Sequence, residues 1–389
     1  MSQPVTQRNG ARQPDRGLTL VEVLVTITIA SFITAATFAF FAGQQRIYDT
    51  QSKVLAVQQN LWSSMDTVSR YVRLAGNGML GCVRPDSDAA GPDIGDPPCG
   101  GATAPQTGLR AWRNGTGFLR IAPLWIRNGV AGAPDTLTVA YGLNASGNFN
   151  DATLATDVPA GTTLAPVNVL NNETLAFRPG EFMLLVEKNQ ANGDRGCALF
   201  QVTGTSVGVV NTILKDPVGS SWNSPADVPA MVPFSFIGGA SPTGGVRNFG
   251  ELTWIQFAID NSGPAPRLTM NRLDGTRGPE VLADGIEDMQ IAYACDSAGG
   301  GPDGTFTEGT DVATRRTDEW IYNEGGDVEP ASCSRPDAIR ITLIARSVSP
   351  DSNLAGALGN AKPAAEDGVA GPVDQFRHRL ITVAVYPRN

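Results

Sequence analysis

A run of apolar residues near the N-terminus carries a single charge. The run extends from Leu18 to Gly43, and Glu22 is its only ionisable residue. As a helix, these 26 residues would measure about 39 Å, enough to cross a hydrocarbon core of about 30 Å. A carboxylate inside a membrane span costs about 2.5–3.5 kcal/mol on insertion scales, so it is expected to have a function and a partner. The sequence therefore predicts one membrane helix in which Glu22 makes a specific contact.

Positive charge is concentrated before this run. Three arginines precede it, whereas the region just after it has Arg46 and Lys53 with Asp49 between them. An excess of positive charge on one side of a span keeps that side in the cytoplasm, so we expect the N-terminus inside and the remainder exported. Residues 1–17 have no apolar core and no Ala-x-Ala site, which excludes a standard secretory signal.

Helical periodicity continues after the apolar run. No proline occurs between Gly17 and Pro85, and apolar residues recur at helical spacing in a stripe of Ile47, Val54, Leu61, Met65, Val68 and Val72, widened by Tyr48, Leu55, Trp62 and Tyr71. The Ala75–Gly78 cluster suits a left-handed helix end. We expect one continuous helix, apolar over 18–43 and amphipathic over 44–76. A coiled-coil anchor is an alternative explanation of the stripe.

Residues 77–389 have the pattern of an exported head rich in β-structure. Short apolar or alternating runs between turn signals predict strands at Gly117–Pro123, Asp135–Gly142, Glu181–Lys188, Cys197–Thr203, Gly208–Leu214, Leu252–Asp260, Pro266–Arg272, Met289–Cys295, Ala338–Ser347 and Arg379–Tyr386. Asn211–Gly250 and Ala298–Ser332 are expected to be long insertions. A helix followed by a mainly antiparallel sheet is an α+β fold.

Composition argues against several classes of function. The chain has 29 basic and 38 acidic residues and a net charge of −9, a poor match for nucleic acid. His378 is the only histidine and no Gly-x-Ser-x-Gly occurs, so we predict no enzyme. If extended, Glu287 and Asp288 point to opposite faces of a sheet, which disfavours a glycosidase-like pair.

Three acidic, glycine-rich loops raise the question of a metal. They contain Asp86, Asp88, Asp93 and Asp96; Asp194; and Asp296, Asp303 and Asp311. None has the spacing of the twelve-residue EF-hand loop, so we interpret them as solvated turns and expect no cofactor. Calcium stays open as the alternative.

Five cysteines follow the apolar run. In an oxidising compartment, two local pairs are expected, Cys82–Cys99 and Cys295–Cys333, each closing a turn-rich loop. Cys197 is then left over, buried or free.

The N-terminal residues resemble the class III signal of type IV prepilins and pseudopilins. The resemblance rests on Gly17, the apolar start at Leu18 and the glutamate at Glu22, five positions after the glycine. It implies that prepilin peptidase cuts between Gly17 and Leu18, removing leader 1–17 and methylating the new amino group of Leu18. It also implies that Glu22 pairs with the α-amino group of an adjacent subunit. Leu18 departs from the phenylalanine that is most often found there.

The C-terminal half resembles the PilW-type minor pilins, more loosely, over Leu252–Arg272, Val281–Glu287, Ala338–Ser347 and Phe376–Asn389. The resemblance implies a minor pilin in the priming or tip complex of a type IV pilus. Its partners would be prepilin peptidase, other major and minor pilins, the inner-membrane assembly platform, the membrane and a tip adhesin. The protein would first lie in the bacterial inner membrane and then in the fibre or at its tip.

Two other functions remain open at this point. A type II secretion pseudopilin of the GspJ kind shares the leader, although its head is usually much shorter. In the second alternative, the head is an adhesin or ligand-binding module. The loops Gly81–Thr107 and Ala298–Ser332 would then supply the binding surface.

Overall fold

The computed structural model describes residues 19–79, 109–143, 151–170, 174, 176–187, 197–208, 211–232, 235–239, 244–275, 277–294, 296, 304–306, 319–321, 337–351, 354 and 360–386. The chain divides into two compact units, of which the first ends at Val54 and the second begins at Leu55. The described elements are one long helix followed by strands, which confirms the α+β prediction.

One α-helix, α1, runs without interruption from Leu20 to Leu74, 55 residues. It ends at the predicted turn, where Gly76 has φ +75°, a left-handed conformation that glycine adopts at little cost. The N–H of Gly76 donates to the carbonyl of Ala140 (2.9 Å), and the N–H of Gly142 donates to the carbonyl of Asn77 (2.8 Å). These bonds attach the end of the helix to a strand of the head.

The described strands form four sheets. Ten strands form the largest: β1 (Leu109–Arg113), β2 (Gly117–Ile121), β3 (Leu124–Arg127), β4 (Thr136–Leu143), β5 (Asp151–Thr153), β7 (Phe182–Glu187), β8 (Ala198–Gln201), β11 (Gly244–Asp260), β12 (Arg267–Arg272) and β13 (Glu280–Asp284). A second sheet contains β6 (Val167–Val169), β9 (Gly204–Ser206) and β10 (Asn211–Leu214). The third has the order β15 (Trp320–Ile321), β14 (Ile286–Ala294), β16 (Ala338–Arg346) and β19 (His378–Val385), and the fourth pairs β17 (Asn360–Ala361) with β18 (Val373–Asp374). Every described strand pair is antiparallel except β1 with β8.

The 17-residue strand β11 organises the largest sheet. Its first part pairs with β5 and β7, and its second part with β4 and β12. A bulge between Asn248 and Gly250 separates the two parts. The expectation that Asn211–Gly250 is an insertion is therefore wrong for its last seven residues, which lie in the sheet. Their glycines break the apolar alternation that marks a strand.

The second half of α1 supplies one wall of the main core. Val57, Leu61, Met65, Val68 and Val72 are buried against residues from both the ten-stranded and the four-stranded sheets. The predicted stripe is confirmed at Leu61, Met65, Val68 and Val72 but not at Ile47, which is 52% exposed. Of the residues predicted to widen it, Tyr71 packs against the core, whereas Tyr48, Leu55 and Trp62 are 56–71% exposed. A helix can bury only the face that meets the sheets, and these three side chains lie beside that face.

His378, at the start of β19, is held between two carboxylates. Its side chain is 2% exposed, with Nδ1 2.5 Å from Glu287 Oε1 and Nε2 3.0 Å from Asp374 Oδ1. Burial lowers the pKa of His378, but the bonds and charges of Glu287 and Asp374 outweigh it, so the pKa is raised above 6.5. The imidazole ring of His378 therefore joins β19 to Glu287 of β14 and to Asp374 of β18.

Cys197 is fully buried and disulfide-bonded. The expectation that it is buried is confirmed, and the alternative that it is free is wrong. Cys82, Cys99, Cys295 and Cys333 lie outside the described residues. The expected pairs Cys82–Cys99 and Cys295–Cys333 therefore stay predictions. Spacing favours near neighbours and contains no information on which residues the fold brings together.

We predict that Cys197 is found in a disulfide-linked peptide when the oxidised protein is digested without reduction and analysed by mass spectrometry. Cys197→Ser should lower the free energy of unfolding by about 2–5 kcal/mol and release one thiol elsewhere in the chain. Recovery of Cys197 as a free thiol would contradict the structure.

His378→Gln should destabilise the head in a pH-dependent way. Because the folded pKa is raised, the stabilisation is fully present below about pH 6.5 and is lost as the pH rises through the folded pKa. We expect a loss of about 1.5–3 kcal/mol at pH 5.5 and a smaller loss at pH 9, measured by denaturant unfolding of both proteins. A difference that grows with pH would rule out a charged His378 in the folded state.

Candidate functional site

The first turn of α1 is a capping box built from Thr19 and Glu22. The backbone N–H of Thr19 and its Oγ1 both donate to Glu22 Oε2 at 2.9 Å, and the N–H of Glu22 donates to Thr19 Oγ1 at 3.3 Å. A threonine at the helix N-cap and a glutamate three residues later satisfy N–H groups that have no partner within the helix. The carboxylate also lies at the positive end of the helix dipole.

The remaining carboxylate oxygen of Glu22 is free to meet another group. The side chain is exposed, and among the described residues only Oε2 is engaged. Gly17 and Leu18, the predicted cleavage position, lie outside the described residues. The structure thus places a fixed negative charge on the surface at the start of the helix, four residues after Leu18 in the sequence.

The apolar part of α1 is not covered by any other described residue. Large side chains there are strongly exposed, including Leu20 at 77% and Phe32 at 73%. Within the described residues, α1 is the one helix long and apolar enough to cross a membrane. Such a surface is stable only in lipid or against other apolar chains.

The hydroxyl groups of this segment are satisfied by the helix itself. Thr28, Ser31, Thr34 and Thr37 each donate to the carbonyl four residues earlier, at 2.7–2.8 Å. Unpaired polar groups in hydrocarbon cost several kcal/mol, so this bonding lets the segment keep hydroxyl groups in an apolar environment. Glu22 then stands out as the only charge in the segment.

The head has its own buried ionic groups, and their partners are structural. Lys362 Nζ lies 2.6 Å from Asp288 Oδ2, and the guanidinium of Arg340 donates to both oxygens of Glu366 at 2.7 and 2.9 Å. Glu287 and Asp288 have different partners, His378 and Lys362, which is inconsistent with a catalytic carboxylate pair. These pairs attach residues 362–366 to the outer face of the four-stranded sheet.

Asp135 is the most perturbed carboxyl group in the described head. Burial raises its pKa to about 8, and the nearby charges of Asp367 and Asp288 act in the same direction. The N–H groups of Gly129 and Ile291, which donate to its two oxygens at 2.8 and 2.7 Å, act in the opposite direction. These bonds join the loop before β4 to β14. The Asp135 carboxyl group is therefore part of the packing between the ten-stranded and the four-stranded sheets.

A cleft of about 640 Å³ opens on the head beside Trp222 and Phe182. Both rings are buried and meet edge to face. Two of the polar side chains that line the cleft already serve the local fold: Glu181 accepts from Asn248, and Gln201 donates to the carbonyl of Gly180. The cleft does not by itself identify a ligand.

The acidic loops lie almost wholly outside the described residues. Asp296 is described, and its Oδ2 accepts the N–H of Gly304 at 2.7 Å. Over the described ranges, no group of three or more His, Cys, Asp or Glu side chains is placed to hold a metal ion.

One functional residue was missed in the sequence, although its signal is legible there. The pattern Thr19-x-x-Glu22 before an apolar run is a capping-box signature. Thr19 gives Glu22 a partner within its own chain. The role of Glu22 in capping the helix therefore has to be separated from any role of its charge in pairing with another group.

The model of the prokaryotic N-terminal methylation motif matches residues 12–38. No curated protein and no solved structure matches this chain. The match begins within residues 1–17 and continues through most of the exposed apolar half of α1. It supports a type IV pilin-like or pseudopilin protein, processed by prepilin peptidase and assembled with other pilins. Together with the apolar helix it supports anchoring in a membrane. The motif is that of a structural class of proteins, not of enzymes.

Proposed function

We propose that this protein is a minor pilin, a structural subunit that is built into a type IV pilus, in its priming or tip complex, through its N-terminal helix. One observation carries the proposal: the matched methylation motif coincides with the first half of α1, which is exposed, apolar and charged only at Glu22. The resemblance of the C-terminal strands to PilW-type minor pilins supports the finer assignment.

Assembly would start with cleavage between Gly17 and Leu18 and methylation of Leu18. The α-amino group of a neighbouring subunit then pairs with the free oxygen of Glu22. Buried in an apolar fibre core, either charge alone would be strongly destabilising, whereas the pair is tolerated. The contact therefore favours one axial position of neighbouring helices over all others.

Thr19 prepares Glu22 for this contact. Its two bonds hold one carboxylate oxygen against the helix start. The other oxygen is left to accept from the ammonium group without a search over side-chain rotamers, which lowers the entropic cost of pairing.

Mass spectrometry of sheared surface fibres tests the function directly. We expect this chain among the fibre proteins, beginning with methylated Leu18. Its presence only in a secretion complex would favour the pseudopilin alternative, and an unprocessed chain that begins with Met1 would contradict both.

Two substitutions of Glu22 separate charge pairing from helix capping. Glu22→Gln keeps an oxygen that accepts from Thr19 but has no charge, and Glu22→Ala has neither. We expect both to leave cleavage intact and to reduce incorporation into fibres at least tenfold, measured by quantitative mass spectrometry. Replacement of Gly17 by Val is the processing control and should leave a full-length precursor. Normal incorporation of Glu22→Gln would show that the charge is not required.

Thr19→Val is the reciprocal variant, since it removes the hydroxyl group and leaves the Glu22 charge in place. Loss of an N-cap costs about 0.5–2 kcal/mol, so we expect faster hydrogen exchange in the first turn of α1 and a milder loss of incorporation than in Glu22→Gln. Thr19→Ser, which retains the hydroxyl, is the matched control. Equal losses in Thr19→Val and Glu22→Gln would indicate that Glu22 acts only as a cap.

A further inference from the structure

Three parts of the head bring carboxyl groups together beside β14. The loop before β4 contributes Asp135, β14 contributes Asp288, and segment 362–369 contributes Asp367. Asp135 and Asp288 are fully buried. The three groups are close enough for the charges of Asp288 and Asp367 both to act on Asp135. A buried cluster of like charges is unstable unless cations or protons compensate it.

Segment 362–369 is held in this place mainly by polar contacts. Lys362 Nζ lies 2.6 Å from Asp288 Oδ2, and Asn128 Nδ2 donates to Asp367 Oδ2 at 2.8 Å. Gly368 lies against the side chain of Gln290, where a Cβ atom on residue 368 would be 2.8 Å from Cδ. None of the eight residues of the segment, all of which are described, belongs to the main core. The attachment of the segment therefore depends on the charge of this cluster.

The cluster has fewer cations than carboxyl groups. The charged groups that face Asp135 come from three elements: Asp288 from β14, Arg340 from β16, and Lys362, Glu366 and Asp367 from segment 362–369. The rest of the loop, 128–134, has no charged residue. Both cations are already paired, Arg340 with Glu366 and Lys362 with Asp288. Within the described chain, Asp135 and Asp367 are left without an ion-pair partner.

The cluster also has too few hydrogen-bond donors. Three buried oxygens have no partner in the described part of the chain: Gln290 Oε1, Asn128 Oδ1 and Asp367 Oδ1. Buried acceptors of this kind are normally satisfied by a donor, a water or an ion. The residues described contain no group of three or more His, Cys, Asp or Glu side chains placed to hold a metal ion. A proton meets both needs, because it cancels one negative charge and adds one donor.

We propose that Asp135 is protonated in the folded head and that this proton controls how tightly segment 362–369 is held. With the proton in place, Asp135 is neutral beside Asp367 and has a hydroxyl group to donate. Without it, Asp135, Asp288 and Asp367 share the single ammonium group of Lys362. The segment then moves away from the loop, because a region with few apolar contacts opens before the core does. The inference goes beyond the proposed function and does not depend on it.

The direction of the pH dependence follows from burial. Burial raises the pKa of Asp135 from its ordinary value of 3.8 to about 8. Between these two values the folded head binds one proton more than the unfolded chain. The stability that this proton supplies is therefore fully present below the lower value and is lost as the pH rises through the higher one. The segment is held tightly at neutral pH and loosely above about pH 8.

Carbon-13 NMR of the aspartate side chains tests the protonation directly. In the full-length protein in detergent, we expect the Asp135 carboxyl carbon to titrate with a midpoint near pH 8, its signal being identified by its absence in Asp135→Asn. Asp367→Asn keeps an oxygen for Asn128 but removes a neighbouring charge, so it should lower the midpoint by about half a pH unit or more. Asp66→Asn, on the exposed side of α1, is the matched control and should leave the midpoint unchanged. A midpoint near pH 4 in the unmutated protein would overturn the proposal.

Hydrogen exchange tests the release of the segment. The N–H groups of Gly368 and Gly371 donate to the carbonyls of Ala365 and Lys362 at 2.8 and 3.0 Å, so their exchange reports on its order. After division by the intrinsic rate at each pH, we expect both amides to lose protection about tenfold between pH 6 and pH 9, and the amide of Leu184 in β7 to keep its protection. Asp135→Asn is neutral at both values, so its two amides should show equal protection.

Two results of the exchange experiment would overturn the proposal. One is equal protection of Gly368 and Gly371 at pH 6 and pH 9 in the unmutated chain, which does not depend on the folding of any variant. The other is full protection at pH 9 that calcium chloride maintains and a chelator removes, since a cation would then occupy the place of the proton. Neither measurement uses fibres, so the outcome is independent of the assembly to which the protein belongs.

Discussion

The long helix α1 has to satisfy two environments with one continuous backbone. Its second half is stable because Leu61, Met65 and Val68 are buried between two sheets of the head. Its first half is exposed as far as the described residues extend, and its hydroxyl groups bond back to the helix. An apolar surface of this length requires an external apolar partner, so the architecture is completed only in a membrane or in an assembly. The head fixes one end of the helix, and the other end is left for partners.

Charged groups differ in their partners between the head and the first half of α1. In the head, some charged groups that are taken out of water lie beside an opposite charge, as Lys362 does with Asp288 and Arg340 with Glu366. Removal of one member of such a pair leaves an uncompensated buried charge, so these pairs fix how the segment after β17 packs. Glu22 differs, because its partner within the chain, Thr19, supplies hydrogen bonds and no positive charge. Among the described residues, none brings a positive charge to Glu22. Under the proposed function, the counter-charge is the α-amino group of a neighbouring subunit.

Much of the fold could be predicted from local patterns. The helix, its end at Gly76 and the longer strands follow from periodicity and turn residues, since each is encoded within a short window of sequence. The strands that were missed have two to five residues, too few to show alternation. β11 was underestimated because its first part contains glycines and bends at Gly250, and its pairing with β5 and β7 comes from distant parts of the chain.

The sequence by itself determined how the chain begins: a basic leader, an apolar helix with Glu22 near its start, and a capping threonine one turn earlier. These features are local, because helix capping and membrane insertion depend on residues that are close together in the sequence. Only the tertiary structure decided that Cys197 is disulfide-bonded, that His378 lies between Glu287 and Asp374, and that β19 pairs with β16 alone among the described strands. Each of these depends on residues far apart in the chain that are brought together by the packing of the sheets, which no short window of sequence contains.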